Sequence, residues 1–152
     1  MNMPNIPVIG DVGYFVINTN EKNIPGIWRT MLNDFRYGKA SVHNAPNCGI
    51  KRIEIGDRVY LLQRQVGIIA CGIAVSKYQK AYLNEPPVVG PNMEVFVNLR
   101  FIWALDEPQW NYAPSVGEIL RRSGDPQPFI GKFTIIDRNR SDAIESILSD
   151  NI

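Results

Sequence analysis

Few residues in this sequence could carry out acid–base or nucleophilic chemistry, and their spacing does not assemble them into a site. His43 is the single histidine, and it lies in the polar segment 39–50, which we predict to be a surface loop. Its neighbours Asn44 and Pro46 favour a solvated position over a catalytic one. The acidic residues flank turns and strands without the spacing of metal ligands; they include Glu54, Asp57, Glu94 and Asp106. We therefore expect no catalytic residue and no metal, although a site assembled from distant residues stays open.

Cysteine usage and glycine spacing point the same way. Two cysteines and one histidine are too few for a structural zinc site. Cys71 lies in the apolar run 67–75, where a buried free thiol is expected. No glycine-rich stretch follows a strand and opens a helix, so neither a P-loop nor a dinucleotide fingerprint is present and no cofactor is expected.

Aromatic residues make up 10% of the chain, and several occur in segments where a hydrophobic core does not require them. Flat side chains of this kind form the walls on which nucleobases stack. Tyr78 and Tyr82 lie in the long connection 76–92 and are candidates for such walls. Trp28 is in phase with an amphipathic helix, and periodicity alone places it in the core. Trp103 shares a strand face with apolar residues and is also expected in the core.

The elements that would position these residues follow from hydrophobic periodicity and turn residues. A helix is expected after Pro25, because apolar residues recur with amphipathic spacing at Trp28, Met31, Leu32 and Phe35. Segments 39–50 and 76–92 are expected to be loops. Strands are predicted at 13–17, 58–62, 68–75, 95–103 and 129–136. Further helices are predicted to begin at the capping box Ser115–Glu118 and to span 139–148.

Strands 58–62, 68–75 and 95–103 are joined without a strong intervening helix, which favours antiparallel pairing. The predicted fold class is therefore α+β, with a small curled, mostly antiparallel β-barrel surrounded by helices. Residues 1–152 are expected to form one domain, with residues 1–11 as an extended arm. Gly72 within its strand predicts a β-bulge or a close backbone approach.

Composition limits the partners and the location. Apolar residues make up 45% of the chain and charged residues 20%, which is typical of a folded domain. The formal net charge is +1, so any binding to phosphate requires a local basic patch. No apolar run reaches about 18 residues and no leader opens the chain, so we expect no membrane partner and a cytoplasmic location.

The order of four motifs resembles that of PUA-like domains, and in particular of EVE and YTH domains. The first motif resembles the first strand and the Gly-Val-Trp segment of YTH and EVE domains. The second resembles a hydrophobic-Gly-Asp turn with its strand, and the third the strand that follows. The fourth is similar to a later strand that leads into an acidic-x-Pro turn. In order, these are GYFVIN at 13–18 with GIWRT at 26–30, IGDRVY at 55–60, GIIACGIAV at 67–75, and VNLRFIW at 97–103 with DEP at 106–108. Together they span about residues 13–135.

This resemblance implies a barrel with a pocket for a modified or flipped-out base. Trp28 falls on the tryptophan of the aromatic cage, and the second wall would come from Tyr78 or Tyr82. Arg29 falls on a position that reads the base edge, where YTH domains have a small hydroxyl residue. Amide contacts to the base are implied for Asn18 and Asn20, and Asn98 on the outward face of its strand is added as a further candidate. Phosphate contacts are assigned to basic residues near these segments, namely Arg36, Lys39, Lys51 and Arg52.

The sequence thus predicts a nucleic-acid-binding module that recognises a modified base, with modified cytosine in DNA as the first expectation. A YTH-like reader of methylated adenine, or a PUA-like RNA-binding domain, is the next alternative. EVE-type domains often serve as readers in modification-dependent restriction systems, so a fused or partner nuclease or motor is an expected associate. The rival from another class is a small ASCH-like hydrolase that acts on a modified nucleoside. A module that binds other proteins through the same cleft is a third alternative.

Overall fold

A curled seven-stranded sheet organises this mixed α+β protein. The computed structural model describes residues 12–44, 49–82, 93–129 and 131–152, so the arm predicted for residues 1–11 lies outside the described residues, as does Cys48. The strands in chain order are Tyr14–Asn18 (β1), Tyr37–His43 (β2), Arg58–Gln63 (β3), Gly67–Ala74 (β4), Gln79–Tyr82 (β5), Met93–Ala104 (β6) and Phe133–Ile136 (β7). The α-helices are Trp28–Leu32 (α1), Val116–Ser123 (α2) and Arg138–Asn151 (α3), and two 3₁₀ helices span Gly49–Arg52 and Glu107–Tyr112.

The strand order is β2-β6-β4-β3-β1-β7, and β5 pairs with the beginning of β6. All of these pairs are antiparallel except β1 and β3, which run parallel with Tyr14 opposite Arg58 and Asn18 opposite Leu62. The predicted mostly antiparallel sheet is therefore confirmed. Because β1 and β3 are parallel neighbours, both strands end at the same edge of the sheet, and this edge carries the candidate site.

The two outer strands of this order, β2 and β7, come close together, which shows that the sheet curls. Gly49, in the 3₁₀ helix after β2, faces the ring of Phe133 in β7, and a Cβ atom on Gly49 would lie 2.3 Å from that ring. The Nζ of Lys132, beside β7, donates to the carbonyl oxygen of His43 at 3.1 Å. The sheet therefore wraps around a hydrophobic core.

The inner face of β6 follows the predicted alternation up to Phe101, whereas Trp103, which was expected in the core, is only partly buried. Val95, Val97, Leu99 and Phe101 of β6 are buried in the core inside the curl. The register of β4 against β6 shifts between Cys71 and Gly72, which is the bulge that the glycine predicted. A Cβ atom at Gly72 would lie 3.1 Å from the Cβ of Leu99, so the two backbones approach closely here as well.

Helices α2 and α3 cover the outer face of β1, β3 and β4. Their apolar residues Ile119, Ile144 and Ile147 pack against a second cluster that includes Val16, Tyr60 and Ile68. The Ser115 hydroxyl caps α2 by accepting from the backbone N–H of Glu118 at 3.2 Å, so the predicted helix start is confirmed.

Polar contacts fix α3 to the sheet. The Tyr60 hydroxyl lies 2.6 Å from Ser141 Oγ and donates to Glu145 Oε1 at 3.0 Å. Trp103 Nε1 donates to Glu145 Oε2 at 3.0 Å. Cys71 is a buried free thiol, as predicted, and burial raises the pKa of both Cys71 and Tyr60 above their ordinary values.

Three predicted elements differ from the structure. The first helix ends at Leu32 and does not continue to Phe35, because Asn33 and Phe35 take positive φ angles of 48° and 64°. In segment 39–50, residues 39–43 belong to β2 and residues 49–50 to a 3₁₀ helix, and the described part of the connection 76–92 contains the short strand β5. Among the described residues, no helix has both the length and the apolar character needed to cross a bilayer.

Candidate functional site

A cleft of about 800 Å³ opens where the parallel strands β1 and β3 end, and we call it the strand-end cleft. Its walls come from the turn after β1, the tip of the β3–β4 hairpin, the beginning of α2 and the segment before β7. Polar residues predominate in its lining: Asn18, Asn20, Lys22, Asn23, Gln63, Arg64, Gln65, Ser115 and Lys132. Leu62, Val66 and Val116 supply apolar surface.

The turn after β1 is built by its asparagines. The backbone N–H of Asn20 donates to Asn18 Oδ1 at 2.8 Å, and Asn20 takes a positive φ of 67°, which asparagine tolerates better than most residues. The carbonyl oxygen of Asn20 then accepts from the N–H groups of Asn23 and Ile24. These bonds order the turn, and both Asn18 and Asn20 are among the residues that line the cleft.

A buried polar pair lies beneath this turn and was missed by the sequence analysis. Thr19 Oγ1 donates to Gln63 Oε1 at 2.5 Å, and Gln63 is only 3% exposed. The carbonyl end of the Gln63 amide is therefore engaged by the Thr19 hydroxyl. The amino end of Gln63 is left for the cleft. A glutamine that ends an otherwise apolar strand was the available signal for this residue.

The β3–β4 hairpin and α2 are held together at the cleft wall. A Cβ atom at Gly67, whose φ is 131°, would lie 2.2 Å from the carbonyl oxygen of Pro114, so only glycine permits this approach. The N–H of Ile68 donates to the same Pro114 oxygen at 2.9 Å. The hairpin tip therefore stands beside the first turn of α2, and its exposed residues Arg64 and Gln65 line the opening.

The cleft carries positive charge without acidic neighbours in its lining. Lys22, Arg64 and Lys132 contribute three cationic side chains, and none of the described lining residues is acidic. Neither Lys22 nor Arg64 forms an ion pair with another described residue. A concave surface of this kind attracts anions such as phosphate groups.

Trp28 lies in the core and does not line the strand-end cleft. It is 5% exposed, and the ring of Trp110 packs edge-on against it with centroids 4.9 Å apart. The guanidinium of Arg29 lies 4.7 Å from the Trp28 ring centroid and is 3.6 Å from Glu107. The cage position that the resemblance implied for Trp28 is therefore corrected, because the tryptophan is buried in the core. Arg29 covers this ring and does not line the strand-end cleft, and its role in reading a base stays a prediction.

The other aromatic candidates lie elsewhere. Tyr78 and Tyr82 are exposed beside and within the edge strand β5, and the Lys51 ammonium lies 5.4 Å from the Tyr78 ring centroid. Tyr82 is paired with Met93 at the first residue of β6, whereas Trp110 follows the last residue of that strand. The predicted pairing of Trp28 with Tyr78 or Tyr82 is therefore not formed.

The remaining candidates also lie away from the cleft. Asn98 lines a separate shallow groove with Thr30 and Lys39. Lys39 is engaged by the buried carboxylate of Glu94, with Nζ 2.9 Å from Oε1, so it is not free for phosphate. Arg36, Lys51 and Arg52 are not among the lining residues of the strand-end cleft.

His43 is buried in β2 and is not a surface-loop residue. It is 2% exposed, and its Nε2 lies 3.6 Å from Glu94 Oε2. Burial lowers the pKa of His43 below its ordinary value; the Glu94 carboxylate opposes this shift, and the Lys39 and Lys132 ammonium groups reinforce it. The loop prediction was wrong because β2 alternates small apolar residues with polar ones and so lacks a strong apolar pattern. Its last residue, His43, pairs with Glu94 of the neighbouring strand β6.

The chemistry available in the strand-end cleft is hydrogen bonding and charge attraction. Its described lining contains amides, ammonium and guanidinium groups and one serine, and no histidine, thiol or carboxylate. The Ser115 hydroxyl is engaged by Glu118, to whose carboxylate it donates at 3.0 Å. Among the described residues, no group of three or more metal-ligating side chains is assembled. The cleft is therefore suited to holding a polar, anionic ligand.

Comparison with known proteins bears on the fold. No protein-family model matches the sequence, and no curated protein matches it. The crystal structure of protein Atu2648 from Agrobacterium tumefaciens superposes with a TM-score of 0.55 at 6% sequence identity, over 92% of this chain and 93% of that one. At so low an identity the likeness concerns the fold alone: this chain is similar to Atu2648 in its mixed α+β architecture.

Proposed function

We propose that this protein is a PUA-like nucleic-acid-binding domain of the EVE and YTH kind, which takes a modified or flipped base into the strand-end cleft. One observation carries the proposal. The asparagine turn that resembles the amide-bearing segment of those domains opens directly onto a cleft with amides, cations and no acidic residue among its described lining. Amides recognise base edges, and lysine and arginine recognise the phosphates on either side.

The size and lining of the cleft support a base as the ligand. Pockets for small ligands span about 300–1,000 Å³, and the strand-end cleft lies within this range. Leu62, Val66 and Val116 offer apolar contact to the flat face of a base, and the planar guanidinium of Arg64 can stack on it. An aromatic cage is not part of this proposal, since Trp28 lies in the core.

Modified cytosine in DNA remains the first candidate ligand. Extruding a base costs a few kcal/mol, and the cost is smaller for a base that is already unpaired. Short single strands are therefore the most sensitive probe. The hydrolase alternative has less support, because the described cleft lining offers no carboxylate, histidine or thiol to act as a general base or nucleophile.

The test uses short fluorescein-labelled DNA strands that are abasic except at one central position. That position carries cytosine, 5-methylcytosine or no base, and fluorescence anisotropy gives the affinity of the full chain between about 50 and 200 mM salt. We expect tighter binding when a base is present. Lys132 Nζ is engaged by the His43 carbonyl oxygen, so with Lys22 and Arg64 on phosphates the plot of log affinity against log salt should have a slope of about −1.4.

The matched variants are Arg64→Gln in the cleft and Arg52→Gln on the first 3₁₀ helix, where the side chain is exposed. We expect Arg64→Gln to reduce the slope by about 0.7 and Arg52→Gln to leave it unchanged. Equal affinity for strands with and without a base would overturn the proposal. Mass spectrometry of the same samples reports any conversion of the base, and turnover would replace the binding function with the hydrolase.

A further inference from the structure

We infer that the floor of the strand-end cleft, formed by Asn18, Asn20 and Gln63, presents only hydrogen-bond donors to a ligand. It would therefore select a base whose inward edge carries acceptors and reject adenine. This inference rests on the proposed function and names the class of base that the cleft takes. Cytosine offers O2 and N3 as adjacent acceptors, and guanine offers O6 and N7.

The polarity of Asn18 is fixed by the backbone. The N–H of Asn20 can only donate, and it donates to Asn18 Oδ1 at 2.8 Å. The carbonyl oxygen of this amide is therefore used within the turn. Its amino group has no partner among the described residues and remains available at the cleft.

The other two amides of the floor have the same polarity. Asn20 Oδ1 accepts from Asn23 Nδ2 at 2.8 Å, and Gln63 Oε1 accepts from the Thr19 hydroxyl at 2.5 Å. The amino groups of Asn20 and Gln63 have no partner among the described residues. Three carbonyl oxygens are thus engaged inside the protein while three amino groups are left over.

Three backbone acceptors around the floor are engaged as well. The carbonyl oxygen of Leu62 accepts from the N–H of Thr19, and that of Lys132 accepts from the N–H of Asn18, both at 3.0 Å. The carbonyl oxygen of Gln63 accepts from the N–H of Val66 at 3.1 Å. The amide oxygens that remain uncommitted, on Asn23 and Gln65, belong to exposed residues at the rim.

This arrangement discriminates between bases because adenine needs a donor and an acceptor from the same amide. An asparagine or glutamine reads adenine by accepting from its N6 amino group while donating to N7. Here each floor carbonyl accepts a hydrogen bond inside the protein, which turns it toward that partner, so we expect the adenine amino group to meet an amino group at the cleft and to lose its hydrogen bond. A cytosine modified at C5 keeps O2 and N3 free, and its own amino group can face the cleft opening.

The experiment extends the set of abasic strands with one central base, which now includes cytosine, 5-methylcytosine, guanine, adenine and N6-methyladenine. All strands carry the same phosphates, so differences in affinity report the base alone. We expect the cytosines and guanine to bind about tenfold or more tighter than adenine, and adenine to bind about as weakly as the strand without a base. N6-methyladenine should bind no better than adenine.

Two glutamate variants test the floor directly. Gln63→Glu keeps an oxygen for Thr19 and replaces the free amino group with a second acceptor, so the preference for cytosine over adenine should disappear. Gln65→Glu introduces the same charge at the rim and should weaken every strand by a similar factor while preserving that preference. Circular dichroism checks that both variants are folded.

The outcomes separate the two proposals. Adenine binding as tightly as cytosine would overturn the donor floor and leave the base-binding function intact. Equal binding of all strands, including the one without a base, would overturn the function itself. A preference that survives in Gln63→Glu, or that is lost equally in Gln65→Glu, would show that the floor amides do not set the base class.

Discussion

The asparagine turn at 18–23 and the contact that Trp28, a few residues later in the chain, makes with Trp110 have opposite characters. At the tryptophans the rings are packed against protein: their centroids lie 4.9 Å apart, Arg29 covers Trp28, and Trp110 Nε1 donates to the carbonyl oxygen of Leu105. At the turn, the carbonyl ends of the Asn18 and Asn20 amides are engaged and their amino ends are not. Residue type alone would favour the tryptophans as the base site, whereas the unused hydrogen-bonding capacity indicates the turn.

The difference follows from what each kind of side chain requires. A tryptophan can bury its whole ring at once, and a wall for base stacking must keep one face open at the expense of that burial. An amide cannot be buried without partners, so one that ends a strand either finds them in the protein or keeps them for a ligand. In the turn, the Asn18 and Asn20 amides use their carbonyl oxygens as acceptors within the protein. These hydrogen bonds fix the orientation of the two amino groups that are left without a partner.

The largest expected effect comes from removing Trp28. Because its ring is buried in the core, Trp28→Ala should lower the free energy of unfolding by about 3–5 kcal/mol, measured by urea denaturation. Tyr82→Ala is the matched control, since this aromatic is 75% exposed and its loss should change stability by less than about 0.5 kcal/mol. Neither change should alter the ratio of affinities between base-bearing and abasic strands.

Trp28→Phe tests whether the tryptophan forms a wall of the base site. This variant keeps an aromatic ring in the core and should remain folded with nearly unchanged base-dependent binding. A loss of about tenfold or more in that binding, with stability retained, would restore the cage position that the motif order implied.

A smaller effect is expected at Thr19, whose substitution should change both the free energy of unfolding and the selectivity for the base. Thr19→Val keeps the shape of the side chain and removes the donor to Gln63 Oε1, which should cost about 1–2 kcal/mol of stability. The Gln63 amide is then free to rotate and can offer its carbonyl to the cleft. We therefore expect adenine-bearing strands to bind more tightly to this variant than to the native protein, as measured by anisotropy.

Thr30→Val controls for the loss of a hydroxyl. Thr30 Oγ1 donates to the carbonyl oxygen of Ile27 within α1, away from the strand-end cleft. This variant should leave the ranking of bases unchanged. If Thr19→Val also leaves it unchanged, the polarity of Gln63 is not set by Thr19.

Much of the scaffold could be predicted from the sequence, because its signals are local. Strands β3, β4 and β6 have apolar runs or strict alternation, and the Ser115 cap follows a short motif. Strand β2 was missed because its polar residues are stabilised only across the sheet, as His43 is by its position opposite Glu94. The short strand β5 likewise depends on pairing with β6 and has no apolar pattern of its own.

Only part of the candidate site could be predicted from the sequence, because the rest depends on which strands pair. Asn18 and Asn20 were identified from the resemblance of the turn after the first strand to the amide-bearing segment of EVE and YTH domains. Gln63 and Arg64 reach the cleft only because β1 and β3 are parallel neighbours, which no local pattern reveals. For Trp28, helical periodicity correctly predicted burial, and the motif resemblance alone suggested a pocket.

The last prediction concerns His43. This polar residue is buried like the tryptophans and lacks hydrogen-bond partners, as the amino groups of the turn do. Both of its ring nitrogens lack hydrogen-bond partners, and burial lowers its pKa below the ordinary value. The unfolded chain therefore binds more protons below about pH 6.5, and the stability that neutral His43 contributes is lost as the pH falls, by at most about 1.4 kcal/mol per pH unit. Urea denaturation between about pH 7 and pH 5 should show this slope in the native protein and a shallower one in His43→Gln. Base binding should stay flat over the same range, because the described cleft lining contains no histidine or carboxylate. Equal slopes in the two proteins would mean that His43 is protonated as readily in the folded protein as in the unfolded chain. The imidazole would then be exposed to solvent, as the asparagine turn is.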